Sequence, residues 1–371
     1  MKKGLLFIVL IIGSCVMYAQ DFIHATYLVG SSLKDLEKVK QIDYSKIQYI
    51  YLMAAPNWNQ MDFTCSQEDI IQELVTDYQY AKDGDIEIIP LLIEQAHKCG
   101  TKVLLSFAGK EEFKEKVSSI GQQKKFINVM MRFIDKYHYD GIEIDWEKEL
   151  SLPLHVDFLT NIRLGLDSLG RERNNKHFYL TTALHSWQVY SEELANKLSA
   201  CVDWINIMTY DMGGGVWGNV PTHNTPLNKM EKNLKNWNLF ERNKLCIGLA
   251  NYGFIYKNLM PEEKIEGKLK EYGAYISYND LLPLLRKGWV EEYDRDAKVS
   301  YYYSPDKSEF VTIENPKTIL DKIKWVTKEQ YRGAFWWEFN YDAIYPATKT
   351  GKIRHHLIDV VCEYLNVRTG L

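Results

Sequence analysis

From residue 22 the chain alternates short runs rich in Ile, Val, Tyr and Phe with longer stretches whose apolar residues recur every three or four positions. The runs read as strands and the longer stretches as amphipathic helices. Eight runs are present: "FIHATYLVG" (22–30), "IQYIYLMAA" (47–55), "KVLLSFAG" (102–109), "DGIEIDWE" (140–147), "FYLTTAL" (178–184), "VDWINIMTYD" (202–211), "KLCIGLANYG" (244–253) and "GAFWWEF" (333–339). The clearest helix is predicted over 123–137, where Phe126, Val129, Met130, Phe133, Ile134 and Tyr137 fall on one face. A second, over 317–330, repeats the pattern.

Alternating strands and helices predict an α/β fold, and eight such units suit a (β/α)8 TIM barrel, whose site residues lie at the carboxyl ends of its strands. The competing fold, an open doubly wound sheet, usually carries a glycine-rich turn after its first strand. Here "ATYLVGSSL" has no G-x-G-x-x-G, and no G-x-x-x-x-G-K-[ST] occurs in the chain. One connection is out of scale, since roughly 80 residues separate the seventh and eighth runs where a loop and one helix need far fewer. It predicts a small α+β insertion over 254–312 with a helix at 279–287, the barrel comprising 20–253 and 313–371.

Composition adds an address and removes some partners. The 371 residues are 46% hydrophobic, and the formal charge of −4, or −6 without Lys2 and Lys3, gives no reason to expect nucleic acid or an anionic membrane as a partner. The opening "MKKGLLFIVLIIGSCVMYAQ" reads as a secretory signal, cleaved either after Ala19 or, as a bacterial lipoprotein signal over 1–14, before a lipidated Cys15. An exported bacterial protein, periplasmic, secreted or anchored at the outer membrane, is expected in both cases. Cys65, Cys99, Cys201, Cys246 and Cys362 lack zinc-ligand spacing, with Cys201 and Cys246 the pair best placed to approach each other. The nine histidines show no metal-binding motif, so no metal or other cofactor is expected. The 25 Tyr and 10 Trp mildly favour a carbohydrate ligand.

The candidate chemistry lies in "YHYDGIEIDWEKE" (137–149). In a strand Glu143, Asp145 and Glu147 share one face and Ile142, Ile144 and Trp146 the other, while Asp140 need not join that line. Inside a barrel the three carboxylates would share protons with raised pKa values, as a general acid requires. An exposed acidic edge strand, a metal site and paired-carboxylate catalysis all remain open on this run alone.

The run resembles the D-x-x-D-x-D-x-E signature of glycoside hydrolase family 18, the chitinase family, at Asp140, Glu143, Asp145 and Glu147, with Glu143 where Asp is usual. Further motifs follow in order: "SFAG" (106–109), similar to S-x-G-G but with Ala108 replacing a glycine; "MTYDM" (208–212); "GVWGNVPTHNTPL" (215–227); "IGLANYG" (247–253); and "GAFWWEFNYD" (333–342). The resemblance implies a retaining glycosidase that cleaves β-1,4 bonds next to N-acetylglucosamine in chitin or chito-oligosaccharides, using the substrate's acetamido group as nucleophile. It implies Glu147 as acid and base, Asp145 as the aligning carboxylate and Tyr210 as a hydroxyl donor to the acetamido oxygen, with Glu143 and Asp140 completing the catalytic set. Met208, Asp211, Trp337, Trp217, Tyr27 and Tyr252 would contact substrate, Ser106 would orient the carboxylates from below, and Trp336 would face the helices. Relatives that act on the chitobiose core of N-glycans, or bind sugar without cleaving it, are the alternatives. A monomer whose partner is an N-acetylglucosamine oligomer or polymer is expected, and Gly213, Gly214 and Gly215 are expected to form a flexible lip.

Overall fold

The computed structural model describes residues 22–369, apart from 31, 32, 34, 56, 57, 59–65, 67–81, 85 and 214. The leader, Cys15, Cys65 and Gly214 lie outside the described residues. Eight parallel strands close into a barrel: Ile23–Val29, Tyr49–Met53, Lys102–Gly109, Gly141–Trp146, Tyr179–His185, Trp204–Met208, Leu245–Ala250 and Gly333–Trp337, here strands one to eight. Each pairs with its sequence neighbour in the barrel, and strand eight pairs with strand one through Ile23 opposite Gly333. The predicted helices form over Ile120–Lys136 and Pro316–Lys328, their buried faces carrying Phe126, Val129, Met130, Phe133 and Ile134 in one and Ile319, Ile323 and Val326 in the other.

Two hydrophobic layers follow from strand alternation. The outer layer, between strands and helices, holds Ile142, Ile144 and Trp146 with the aromatic rings of Phe113, Phe126 and Phe158. Trp146 stacks on Phe113 at 5.4 Å between ring centroids. The inner layer holds Tyr27, Tyr51, Trp204, Tyr210 and Phe335. Its polar tips are joined to one another, for Tyr51 donates to Asn206 Oδ1 at 3.0 Å and accepts from Trp204 Nε1 at 2.8 Å. Trp336 is fully buried and donates its indole N–H to His24 Nε2 at 2.8 Å, on the helix side as expected.

Two strand ends differ from expectation. The sixth run was expected to extend to 211, yet the strand stops at Met208, and Asp211 takes a left-handed φ of 56° that carries the chain off the sheet. The seventh run divides at Asn251, whose side chain donates to Glu338 O at 2.6 Å and Asp342 Oδ1 at 2.7 Å. Tyr252–Lys257 then begins the insertion, a five-stranded antiparallel sheet ordered Gly273–Ser277, Tyr252–Lys257, Glu309–Ile313, Val299–Tyr303, Val290–Asp294, with the helix Tyr278–Arg286.

The expected flexible lip is also corrected at its described members. A Cβ at Gly213 would run into Thr222, and one at Gly215 into the Phe254 ring, so both are small because they are packed. Cys201 and Cys246 are buried free thiols, and no disulfide joins them. Among the described residues no helix is long and apolar enough to cross a membrane, and no group of three or more His, Cys, Asp or Glu side chains could hold a metal ion.

The insertion is fastened to the barrel by a buried ion pair. Lys322, on the helix before strand eight, meets Glu314 at 2.5 Å with both side chains 1% exposed, and Thr225 donates to the same carboxylate. Lys322 also donates to Lys298 O at 3.1 Å. Removing one member of such a pair strands the other charge in the interior, at a cost of about 3–5 kcal/mol. Lys322→Met is therefore expected to destabilise the protein by about 3–5 kcal/mol, read as a lowered midpoint in thermal or urea unfolding. A midpoint within error of wild type would contradict the fastening.

Candidate active site

Strand four is buried along its whole length, and its alternation sends Glu143 and Asp145 into the barrel. Glu143 is fully buried and its two oxygens are spoken for: Tyr27 donates to Oε1 at 2.9 Å and Ser106 to Oε2 at 2.5 Å. Burial pushes its carboxyl up to about 7, although bonds from Ser106, Tyr27 and the Ala183 main chain favour the ionised form. Asp145 lies one inward step nearer the cleft and is 3% exposed. Burial, then the charges of Glu143 and Glu147, hold its carboxyl well above the usual range. Its Oδ1 is buried without a hydrogen-bond partner among the described residues. Glu147 follows the strand's last residue, its main-chain N–H bonded to Gly109 O at 3.1 Å and its side chain exposed at the rim.

Asp145 and Glu147 open into a cavity of 280 Å³. Asp145, Glu147, Met208, Tyr210 and Asp211 line it from strands four and six, and Trp337 lines it from strand eight. Burial, then the charges of Asp145 and Asp211, raise the Tyr210 hydroxyl pKa well above its ordinary value, so it stays protonated. Gly248 makes room for this ring, since a Cβ there would sit 2.8 Å from Tyr210 Cε1. Tyr252 donates to Asp211 Oδ1 at 2.7 Å, and Asn224 fixes the Asp211 main chain by accepting its N–H at 2.7 Å. Burial brings Asp211 up to about 6, against the Tyr252 bond and with the Glu147 charge adding to the rise.

Trp337 rests on Tyr27 with ring centroids 5.3 Å apart. A wall of rings continues from Trp217 to Tyr275 (5.8 Å), Tyr275 to Tyr252 (5.9 Å) and Tyr252 to Tyr341 (6.0 Å). Trp217 is 56% exposed and lines the cavity. No lysine or arginine is among the described residues that line it.

Two expectations about the site are corrected. Tyr27 was expected to contact substrate from a strand end, but strand one runs on to Val29, leaving Tyr27 1% exposed beneath the cavity as a donor to Glu143. Asp140, expected in the catalytic set, sits just before strand four at the opposite end of the barrel, roughly 20 Å of strand away from Glu147. Its carboxylate accepts from Val103 N–H at 3.0 Å and meets His97 Nε2 at 2.7 Å, with Lys176 at 3.5 Å. Burial alone would push it up, but those hydrogen bonds and the His97 and Lys176 charges hold it below the usual carboxylate range. It braces strands three to five and cannot reach a group in the cavity.

Three lining residues escaped the sequence reading: His185, Tyr275 and Tyr341. His185 continues the inward alternation of Thr181 and Ala183, one residue past the predicted strand. Tyr275 arrives from the insertion, whose contacts with the barrel no local pattern announces.

The Glycosyl hydrolases family 18 model matches residues 27–342. Chitinase A1 of Niallia circulans is 26% identical over 288 residues, covering 65% of this chain and 40% of that protein. Chitinase 1 of Aphanocladium album is 26% identical over 264 residues, covering 64% of this chain and 61% of that one. The chain thus spans about half the length of these curated relatives. A class V chitinase mutant from Cycas revoluta, solved with (GlcNAc)3, shares the fold with a TM-score of 0.72 at 16% identity, covering 92% of this chain and 99% of that one. A family 18 N-acetylglucosaminidase from Paenibacillus barengoltzii does so with a TM-score of 0.69 at 20% identity, covering 92% and 99%.

The buried carboxyl makes stability depend on pH. Glu143 titrates at about 7 in the folded chain against 4.5 for an unperturbed glutamate, so folding favours its protonated form. Its contribution is fully present below 4.5 and is lost as pH rises through about 7. We expect Glu143→Gln to remove a fall on the order of 3 kcal/mol across that window, measured as the difference between variant and wild type in urea unfolding at each pH. Asp211 and Glu338, raised to about 6 and about 7, titrate in both proteins and cancel from the comparison, whereas Asp145, raised in part by the Glu143 charge, titrates together with Glu143, so the difference reports the pair. Parallel stability curves for the two proteins would contradict the assignment.

Proposed function

The chain belongs to glycosyl hydrolases family 18, and from that premise we propose that it is an exported retaining glycosidase, hydrolysing β-1,4 bonds next to N-acetylglucosamine in chito-oligosaccharides. The observation that carries this reading is the graded pair of carboxylates on strand four. Asp145 is buried with an unpartnered oxygen, and Glu147 stands exposed two residues on, at the same cavity.

A buried carboxyl whose pKa is raised is a poor anionic nucleophile but a good acceptor for one N–H donor, since leaving Oδ1 empty costs about 1–3 kcal/mol. An amide N–H of the substrate meets that need. In the proposed reaction a sugar lies on the indole of Trp337 with its 2-acetamido group turned down toward Asp145 and Tyr210. Asp145 accepts the acetamido N–H, and the Tyr210 hydroxyl donates to the acetamido oxygen. Glu147 protonates the glycosidic oxygen while the acetamido oxygen attacks the anomeric carbon, breaking the bond and leaving an oxazolinium ion. Water, deprotonated by Glu147, then opens that ring from the face the leaving group vacated, so configuration is retained. This is one of the exceptions to the two-carboxylate scheme. Asp211 and Met208 hold the sugar's sides, with Trp217 and Tyr252 in the wall. Glu143, bonded by Ser106 and Tyr27, sits below Asp145 and adds to the rise of its pKa.

The absence of Lys and Arg among the described lining residues suits a neutral sugar better than an anionic one. The 280 Å³ cavity suits soluble oligomers, with one or two sugar units at the reacting centre.

Hydrolysis of chitotetraose and of a chromogenic chitobioside tests the reading. Wild type is expected to turn over both, with Glu147→Gln losing about 100-fold to 10,000-fold in kcat while still binding the oligomer. No turnover by wild type would leave a sugar-binding protein, and full turnover by Glu147→Gln would remove the acid. Release of glycan from a high-mannose glycoprotein without cleavage of chitotetraose would move the substrate to the N-glycan core.

A further inference from the structure

Asn251 is fully buried where strand seven gives way to the inserted sheet, and its Oδ1 has no hydrogen-bond partner among the described residues. An unpaired amide oxygen in the interior is costly, so a compensating role is expected at the other atoms of the residue. Both amide hydrogens are in use. Nδ2 donates to Glu338 O at 2.6 Å and to Asp342 Oδ1 at 2.7 Å. The Asn251 carbonyl accepts the Tyr278 N–H at 3.0 Å, at the start of the insertion helix.

The two side-chain bonds do different jobs. Pairing between strands seven and eight ends with Ala250 opposite Trp337, and the next main-chain bond, Asn251 N–H to Trp337 O, is stretched to 3.5 Å. The bond to Glu338 O takes over where the ladder gives out, one residue past the cavity floor. From the other side Phe339 N–H donates to Tyr27 O at 3.0 Å, so the chain leaving Trp337 is gripped by strand one as well. The bond to Asp342 serves the fold instead. Its carboxylate also accepts the Leu357 N–H at 2.6 Å and the Ile358 N–H at 3.0 Å, where the last helix, Ile358–Thr369, begins. Tyr341, between the two, is held by Asn279 of the insertion helix, whose main-chain N–H donates to Tyr341 O at 3.0 Å.

We propose that Asn251 is a positioning residue for the reaction, its amide fixing the main chain at Glu338 so that the Trp337 indole meets the sugar at the angle that turns the 2-acetamido group toward Asp145 and Tyr210. The proposal rests on the glycosidase reading above. Trp337 is half-buried and is the last residue of its strand. A ring free to swing at a strand end would have to be ordered by the sugar, and that entropy cost would fall on the reaction. Alignment matters because a displacement of about 1 Å in a reacting group can cost about 100-fold in rate. Asn251, being fully buried, acts through Trp337 and does not touch substrate.

The test sets Asn251→Ala, which loses both bonds, against Asp342→Ala, which loses the fold-serving bond and leaves the one to Glu338 O. Kinetics on chitotetraose and on a chromogenic chitobioside are read below each variant's unfolding midpoint. Both variants are expected to unfold at lower temperature than wild type. Asn251→Ala is expected to lose about tenfold to 100-fold in kcat on both substrates, with KM changed by less than about threefold. Asp342→Ala is expected to keep kcat within about twofold of wild type. Where Asn251→Ala does not fold, Asn251→Ser, which leaves a smaller void but is too short to span both partners, carries the same comparison. Wild-type kcat in the Asn251 variant, or an equal loss in Asp342→Ala, would overturn the positioning role and leave the glycosidase reading standing. A wild-type protein that cleaves neither substrate would overturn both.

Discussion

The barrel is organised around two carboxyl groups that it keeps out of water. Ionised carboxylates in a low-dielectric interior are costly, and the chain meets the cost by hydrogen bonding and by neutralisation. Glu143 receives Tyr27, Ser106 and a main-chain N–H, while Asp145 is driven toward its neutral form. Much of the inner layer follows from this arrangement. Tyr27 cannot leave Glu143, so its ring is fixed, and its ring supports both Tyr51 at 4.9 Å and Trp337 at 5.3 Å. The position of the cavity floor is in this way tied to a buried acid on the other side of the barrel.

The cavity wall depends on a second set of constraints, in which the insertion and the loop after strand six hold each other. Asn224 accepts from Asp211 N–H and donates to Tyr252 O at 3.0 Å, joining that loop to the first strand of the inserted sheet. His223 meets Thr312 Oγ1 at 2.9 Å and stacks on Tyr301 at 3.8 Å, and Thr225 reaches the Glu314–Lys322 pair. Three consecutive residues thus fasten one loop to the inserted sheet and the helix before strand eight. The left-handed backbone at Asp211 is the outcome, aiming its carboxylate at the Tyr252 hydroxyl. Tyr275, 49% exposed, then faces the cavity from a sheet that is not part of the barrel.

Patterns confined to one element were legible in the sequence, and contacts between distant elements were not. Strand alternation sufficed to separate Ile142, Ile144 and Trp146 from Glu143 and Asp145, because period two is a property of the strand alone. The same rule applied one residue further along strand five would have found His185. The run at 22–30 already covered strand one, and what the sequence did not carry is the partner of Tyr27, since Glu143 belongs to a strand on the other side of the barrel. Asp140 matched a motif by spacing, yet its partners His97, Lys102 and Lys176 come from three other segments, and only the fold shows that they surround it. Tyr275 and Tyr341 have no local signal distinguishing a cavity-lining ring from any other tyrosine in an aromatic-rich chain.

In the proposed reaction Asp145, on strand four, and Glu147, just past its end, divide the work of a protonation site between protein and ligand. Asp145 is desolvated by the barrel itself, so its neutral tendency and its empty Oδ1 are present before anything binds. Glu147 is exposed in the open cavity, and removal of water from its carboxyl waits on whatever fills the space between Trp337 and Tyr210. In the proposed reaction the carboxyl that the barrel fixes is the one that aligns the substrate, and the carboxyl left open at the rim is the one that moves the proton. An electrostatic site gains most when its dipoles are in place beforehand and water leaves last. The single strand that carries both groups enforces this order, because the step from Asp145 to Glu147 is also the step from the barrel interior to its rim.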